Sequence, residues 1–135
     1  MKQNEIKIII EKLIDTFLYA GKVSIELREK GLTKEIKEDN TPVSNGDLEV
    51  NRILTEKLLS LTPQIPMVSE ETSHNKSKTD LKNFWLIDPI DGTYDYINDL
   101  DEFTLNAGLI INNRAVAGII YALSLIHISE PTRPS

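Results

Sequence analysis

Helical and strand-like periodicities follow one another along the chain. From about Asn4 to Lys30, Ile6, Ile9, Ile10, Leu13, Ile14, Phe17 and Leu18 recur at three- and four-residue spacings, with Lys, Glu and Asp between them. That pattern predicts one long amphipathic helix, and Gly31 is a good stop for it. "LTKEIKEDNTPVSNGD" predicts an extended piece, a turn at Asp39-Asn40-Thr41-Pro42 and entry into a second helix. The second helix runs from about Asn45 to Leu61, with Val50, Ile53, Leu54, Leu58 and Leu61 facing inward, and Pro63 ends it.

Strand signals come next. "IPMVSEE" reads as a short buried strand running into acidic residues, "TSHNKSKTD" as a polar loop and "NFWLID" as a second strand. "FTLNAGLII" and "AVAGIIYA" flank Asn112-Asn113, which predicts a hairpin. There is no internal repeat and no low-complexity tract. The predicted fold class is α+β: two N-terminal helices packed on a largely antiparallel sheet.

The last stretch, "LSLIHISEPTRPS", ends in a coil carrying Pro131 and Pro134 and closely resembles a translated sequencing-library adapter. The expectation is one natural domain segment at residues 1–122 and a non-native tail at 123–135, in which His127 and Arg133 have no role. On that reading the natural protein continues beyond this chain.

Composition narrows the partners. The chain has 135 residues, 40% hydrophobic and 27% charged, ordinary for one globular domain. Fifteen Lys plus Arg against 21 Asp plus Glu give a formal charge of −6. That acidity argues against a nucleic-acid polymer as partner and suits a site that collects divalent cations. With no cysteine, disulfides, zinc thiolate sites and thiol nucleophiles are excluded. The amino-terminal apolar run, Ile8-Ile9-Ile10, is too short for a signal peptide, and no window is long enough for a membrane span. A cytoplasmic location is expected, and the "NKS" acceptor pattern at Asn75 to Ser77 is taken as chance.

Three acidic stations carry the candidate chemistry. In "FWLIDPIDGTYDYI" an apolar strand is expected to end at Asp88, with Asp91 three residues on. Pro89 stiffens the turn between them, and the Ile90 carbonyl offers a further oxygen. Magnesium is a hard cation that favours carboxylate and carbonyl oxygen. If a helix opens at Gly92 and Thr93, its free N–H groups face the same space, and Gly92 lets a ligand approach the backbone. A strand, a turn and a capped helix without chemistry would look the same. The second station is "VSEET", where Glu70 and Glu71 follow another strand end, although such a pair is usually a solvated loop. The third is "TPVSNGD": Ser44 and Asp47 fit a capping box, or Asp47 turns toward the site.

Together these stations resemble the inositol monophosphatase superfamily, the magnesium-dependent, lithium-sensitive phosphomonoesterases. "WLIDPIDGT" matches its main motif, "VSEET" its paired-glutamate segment and "KEDNTPVSNGD" its segment before the second helix. "LTPQIPMVSEE" and "DEFTLNAGLI" look most like the CysQ-type 3'(2'),5'-bisphosphate nucleotidase branch. The resemblance implies two or three magnesium ions. Glu70, Asp88 and the Ile90 carbonyl would hold one, and Asp88 with Asp91 another. Thr93 and Glu70 would orient the attacking water, with Asp47 assisting. Asp91, Gly92 and Thr93 would meet the substrate, the backbone of the last two cradling phosphate. The implied substrate is a small phosphorylated molecule, adenosine 3',5'-bisphosphate losing its 3'-phosphate, with an inositol or other sugar phosphate as the alternative. A homodimer of the full-length parent is allowed.

Some family features are absent. Ser44 stands where the family has Thr. The only tryptophan is Trp85, so the later Trp-Asp element that feeds the second metal is missing, as is most of the base pocket. The chain alone is therefore expected to bind metal weakly, turn over little or nothing, and expose apolar surface that promotes aggregation. Two rivals fail on spacing. A phosphatase with an Asp nucleophile needs its acid two residues on, not three, and an EF-hand loop needs Asp where this chain has Ile87. A non-catalytic metal-binding module remains as the reading of another class.

Overall fold

The computed structural model describes residues 1–38, 42–69 and 82–122, and the backbone of 125–129. Helix α1 spans Gln3–Lys30, strands β1 and β2 span Lys34–Ile36 and Pro42–Ser44, and helix α2 spans Asn45–Leu61. Then come β3 (Met67–Ser69), β4 (Phe84–Asp91), helix α3 (Thr93–Ile97), β5 (Thr104–Ile111), β6 (Arg114–Ala122) and β7 (Leu125–Ser129). β1 and β2 form a small antiparallel pair. The main sheet has the order β3-β4-β5-β6-β7, with β3 parallel to β4 and the other neighbours antiparallel.

Both long helices pack on one side of this sheet. The buried stripe of α1 is Ile6, Ile10, Leu13, Phe17, Ala20, Gly21 and Ser24, with Ile9 and Ile14 partly buried at its margin. Leu18, expected inward, is 47% exposed. It stands about 100° around the helix from Phe17, outside the stripe. On α2, Val50, Ile53, Leu54 and Leu58 are buried and Leu61 partly so. The sheet answers with Trp85 and Ile87 on β4, Leu105, Ala107 and Leu109 on β5, and Ala117 and Ile119 on β6. Trp85 Nε1 donates to Thr62 Oγ1 at 2.9 Å, and that hydroxyl donates to the Leu58 carbonyl at 2.9 Å. The indole thus fastens β4 to the end of α2.

Alternation sends Leu86, Asp88, Asn106, Gly108, Gly118 and Ile120 to the opposite face, where they border a cavity of about 290 Å³. Leu86 and Ile120 are 52% and 42% exposed there.

The course of β4 differs from expectation. β4 does not stop at Asp88 but runs to Asp91. Asp88 pairs with Asn106 and Asp91 with Thr104, so three steps on β4 match two on β5. This bulge absorbs Pro89, which has no N–H for a regular ladder. In the tail, Leu125–Ser129 form an edge strand on β6, in register from Gly118↔Ser129 to Ala122↔Leu125. Their apolar, β-branched composition suits that place. Pro131 and Pro134 lie outside the described residues, as do the turn at 39–41 and the polar loop at 72–80. The hairpin falls where expected: Asn112 and Asn113 have φ of 51° and 64°, the left-handed pair that a tight two-residue turn requires.

Leu54 is fully buried and Leu59, on the same helix, is 52% exposed. Leu54→Ala is expected to lower unfolding free energy by about 2–5 kcal/mol, and Leu59→Ala by less than about 0.5 kcal/mol. Urea titration followed by far-ultraviolet circular dichroism checks the contrast.

Candidate active site

Asp47 is fully buried, and what surrounds it explains how two distant segments meet. It is the third residue of α2, and Ser44 is the N-cap. The Ser44 hydroxyl accepts from the Asp47 N–H at 3.2 Å and donates to Asp47 Oδ2 at 2.6 Å, and the Ser44 N–H donates to the same oxygen at 2.8 Å. One carboxylate oxygen therefore completes the capping box. The other, Oδ1, accepts from the Thr93 hydroxyl at 2.9 Å, across 46 residues of sequence. Asp47 thus completes the capping box of its own helix and also reaches the Asp88–Thr93 segment.

That segment is shaped by the bulge and a glycine. Past the bulge Ile90 is buried, and its carbonyl also lies 3.1 Å from Thr93 Oγ1. A hydroxyl has one proton, so Thr93 serves two acceptors with it and keeps its lone pairs for an outside donor. Gly92 has φ 90° and ψ 41° and caps α3. A Cβ there would stand 2.8 Å from the Glu102 carbonyl oxygen, so both the twist and the close approach require glycine. α3 is only five residues long, so its dipole is short.

Asp88 is half-buried on the cavity side of the sheet, beside Asn106, and Asp91 is exposed. Asp88, the Ile90 carbonyl and Asp91 thus flank one bulge, followed directly by Gly92 and Thr93. Glu70 and Glu71 lie outside the described residues. Among the described residues no group of three His, Cys, Asp or Glu side chains stands together as a metal cage. The donors that are described are all carboxylate or carbonyl oxygen, the set that suits a hard divalent cation.

The far wall of this region is Tyr96, fully buried, whose hydroxyl donates to the Ser24 carbonyl at 2.6 Å. Gly46 lets it in, since a Cβ at Gly46 would meet the tyrosine oxygen at 2.2 Å. Burial, and then the nearby Asp47 charge, hold the Tyr96 phenol well above its ordinary range, while Arg28 pulls the other way.

Sequence reasoning missed two polar residues here. Asn51 is buried one helical turn after Asp47, and its Oδ1 accepts from the Ser69 hydroxyl at 2.5 Å, fixing the end of β3 just before Glu70. The signal was available, a polar residue on the inward face of α2. Asn106 sits opposite Asp88, and nothing short of the strand register shows that.

Comparison with known proteins gives a consistent answer. The profile of the "Inositol monophosphatase family" matches residues 7–128. The "3'(2'),5'-bisphosphate nucleotidase CysQ" of Aggregatibacter actinomycetemcomitans is 39% identical over 116 residues, 84% of this chain and 43% of that protein. Its namesake in Haemophilus influenzae is 42% identical over 105 residues, 76% of this chain and 39% of that protein. This chain thus spans about two fifths of the length of those relatives. Among solved structures, the extragenic suppressor protein suhB of Bartonella henselae superposes with a TM-score of 0.80 at 21% identity, covering 90% of this chain and 48% of that one. The IMPase of Thermotoga maritima gives 0.79 at 22%, covering 90% and 47%. At those identities the superpositions establish the fold: layered α+β, as expected.

Thr93→Val keeps the shape and removes the proton shared by Asp47 and Ile90. It is expected to cost about 1–3 kcal/mol of stability, with Thr93→Ser costing less, by chemical unfolding. Tyr96 yields a pH dependence of definite sign. Its folded pKa is raised, so its stabilisation is full below the unfolded value of about 10 and is lost as pH climbs past it. Tyr96→Phe should flatten that alkaline decline in a series of thermal melts.

Proposed function

Because the chain belongs to the inositol monophosphatase family, we propose that it is the amino-terminal, phosphate-handling part of a magnesium-dependent phosphomonoesterase that removes the 3'-phosphate of adenosine 3',5'-bisphosphate. The observation that carries this reading is the Thr93 hydroxyl, seated against both Asp47 and the Ile90 carbonyl between the two aspartates and the α3 turn. The curated relatives named as bisphosphate nucleotidases supply the substrate.

Asp88, Asp91 and the Ile90 carbonyl would hold the divalent ions, two or three in number, with Glu70 as a further carboxylate. When bound, such ions neutralise charge on the phosphoryl group and lower the pKa of a water. The protein's own contribution is orientation. With its proton committed to Asp47 or Ile90, Thr93 offers lone pairs to a water and aims it, with Glu70 as second acceptor. Asp47 keeps the hydroxyl from rotating away. Gly92 and Thr93 bring bare backbone to the phosphate, beside Asp91.

In this reading residues 1–122 are the natural segment, the later residues a foreign tail, and the rest of the parent supplies the base pocket and a further metal ligand. The parent works in the cytoplasm, as a monomer or homodimer.

The test is phosphate release from adenosine 3',5'-bisphosphate by the parent protein at the length of its relatives. Release is expected to require Mg2+, to stop with chelator, to fall with lithium, and to drop at least about a hundredfold in Asp91→Asn. The 135-residue chain alone should show little or none. Release from inositol phosphate alone would move the substrate; none from any phosphomonoester would leave a non-catalytic metal-binding module.

A further inference from the structure

Arg28, in the last turn of α1, lies outside every motif named so far, yet its side chain is only 11% exposed. Among the described residues, the polar contacts of that side chain go to one place, the turn between α3 and β5. Nη1 donates to the Leu100 carbonyl at 2.9 Å and Nη2 to Asp101 Oδ1 at 2.8 Å, and Nε stands 3.2 Å from Asp99 Oδ1. The guanidinium also lies 5.7 Å from the Tyr96 ring centre and 5.3 Å from that of Phe103, and the two rings meet edge to face at 4.9 Å.

The turn so gripped is the backing of the proposed site. Asp99 is held at φ 64°, where a non-glycine residue needs support. Immediately after it, the Glu102 carbonyl and the Phe103 Cα press against Gly92, at 2.8 and 3.4 Å from where a Cβ would be. Gly92 in turn accepts from the Tyr96 N–H at 3.0 Å, which sets the first turn of α3 and with it Thr93.

We infer that Arg28 is a positioning residue: its fork holds the α3–β5 turn against Gly92 and so keeps the Thr93 hydroxyl aligned on Asp47. Its effect on catalysis rests on the phosphatase reading above. Asp99 and Asp101 are 85% and 68% exposed, so these ion pairs add little to global stability. What they supply is geometry. Lysine keeps the charge but cannot reach Leu100 and Asp101 together.

The experiment has two arms, each run on Arg28→Lys, on the milder Asp101→Asn, and on Arg52→Gln. Arg52 is an exposed, ion-paired arginine of α2 that serves as control. The first arm measures hydrogen–deuterium exchange in the 135-residue chain. Exchange at residues 92–103 should rise about tenfold in Arg28→Lys, less in Asp101→Asn and not in the control, with the unfolding midpoint nearly unchanged. Unaltered exchange there, or a rise spread over the whole chain, would overturn the inference. The second arm measures phosphate release by the parent protein. kcat should fall about tenfold in Arg28→Lys with KM nearly constant. Loosened exchange with undiminished kcat would refute the catalytic role. If the unaltered parent releases no phosphate, the phosphatase reading fails, and the exchange arm still decides whether Arg28 positions the turn.

Discussion

A buried carboxylate has to be fully engaged by donors or it destabilises the fold, and at Asp47 that requirement joins the molecule's parts. The Ser44 N–H and hydroxyl satisfy one oxygen and Thr93 the other. The start of α2 therefore cannot shift without moving the start of α3, because both answer to one side chain. Gly46, next to Asp47, gives Tyr96 the room to close the gap from the other side. The α2 entrance, the Gly92–Thr93 turn and the underside of α1 are fixed relative to one another by hydrogen bonds with little slack.

The second constraint is the extra residue in β4. A regular strand would send Asp88 and Asp91 to opposite faces, being an odd number of positions apart. The bulge at Pro89 resets that alternation, so that Ile90 is buried, and its carbonyl lies 3.1 Å from the Thr93 hydroxyl. Proline suits the place because it removes a donor that the bulge would leave unpaired. The acidic motif thus lies on a distorted strand end, and a bulge there re-aims the side chains that follow it.

Much of this could be read from the residues, for local reasons. α2 was legible because Ser44 and Asp47 mark its start and Pro63 its end, and the hairpin because two consecutive asparagines tolerate left-handed backbone. The overall fold and the family motif followed from the same kind of information. Contacts between distant segments were not legible. Thr93 meets Asp47 across 46 residues, and Arg28 meets Leu100 and Asp101 across 72 and 73. Leu18 misled because hydrophobicity alone does not set the width of a helix's buried stripe. Pro89 misled because it breaks regular ladders, and only the partner strand shows that this ladder is irregular. Leu125–Ser129 pair with β6 as a strand, whatever the origin of those residues.

Trp85, the only tryptophan in the chain, stands three residues before Asp88, with its ring enclosed in the core and its N–H held by Thr62. Its emission therefore belongs to a single environment, on the strand that carries the acidic motif. A cation or phosphate drawing on that strand would alter the indole's surroundings through a few bonds of backbone, so the molecule contains its own optical reporter, with no label to be introduced.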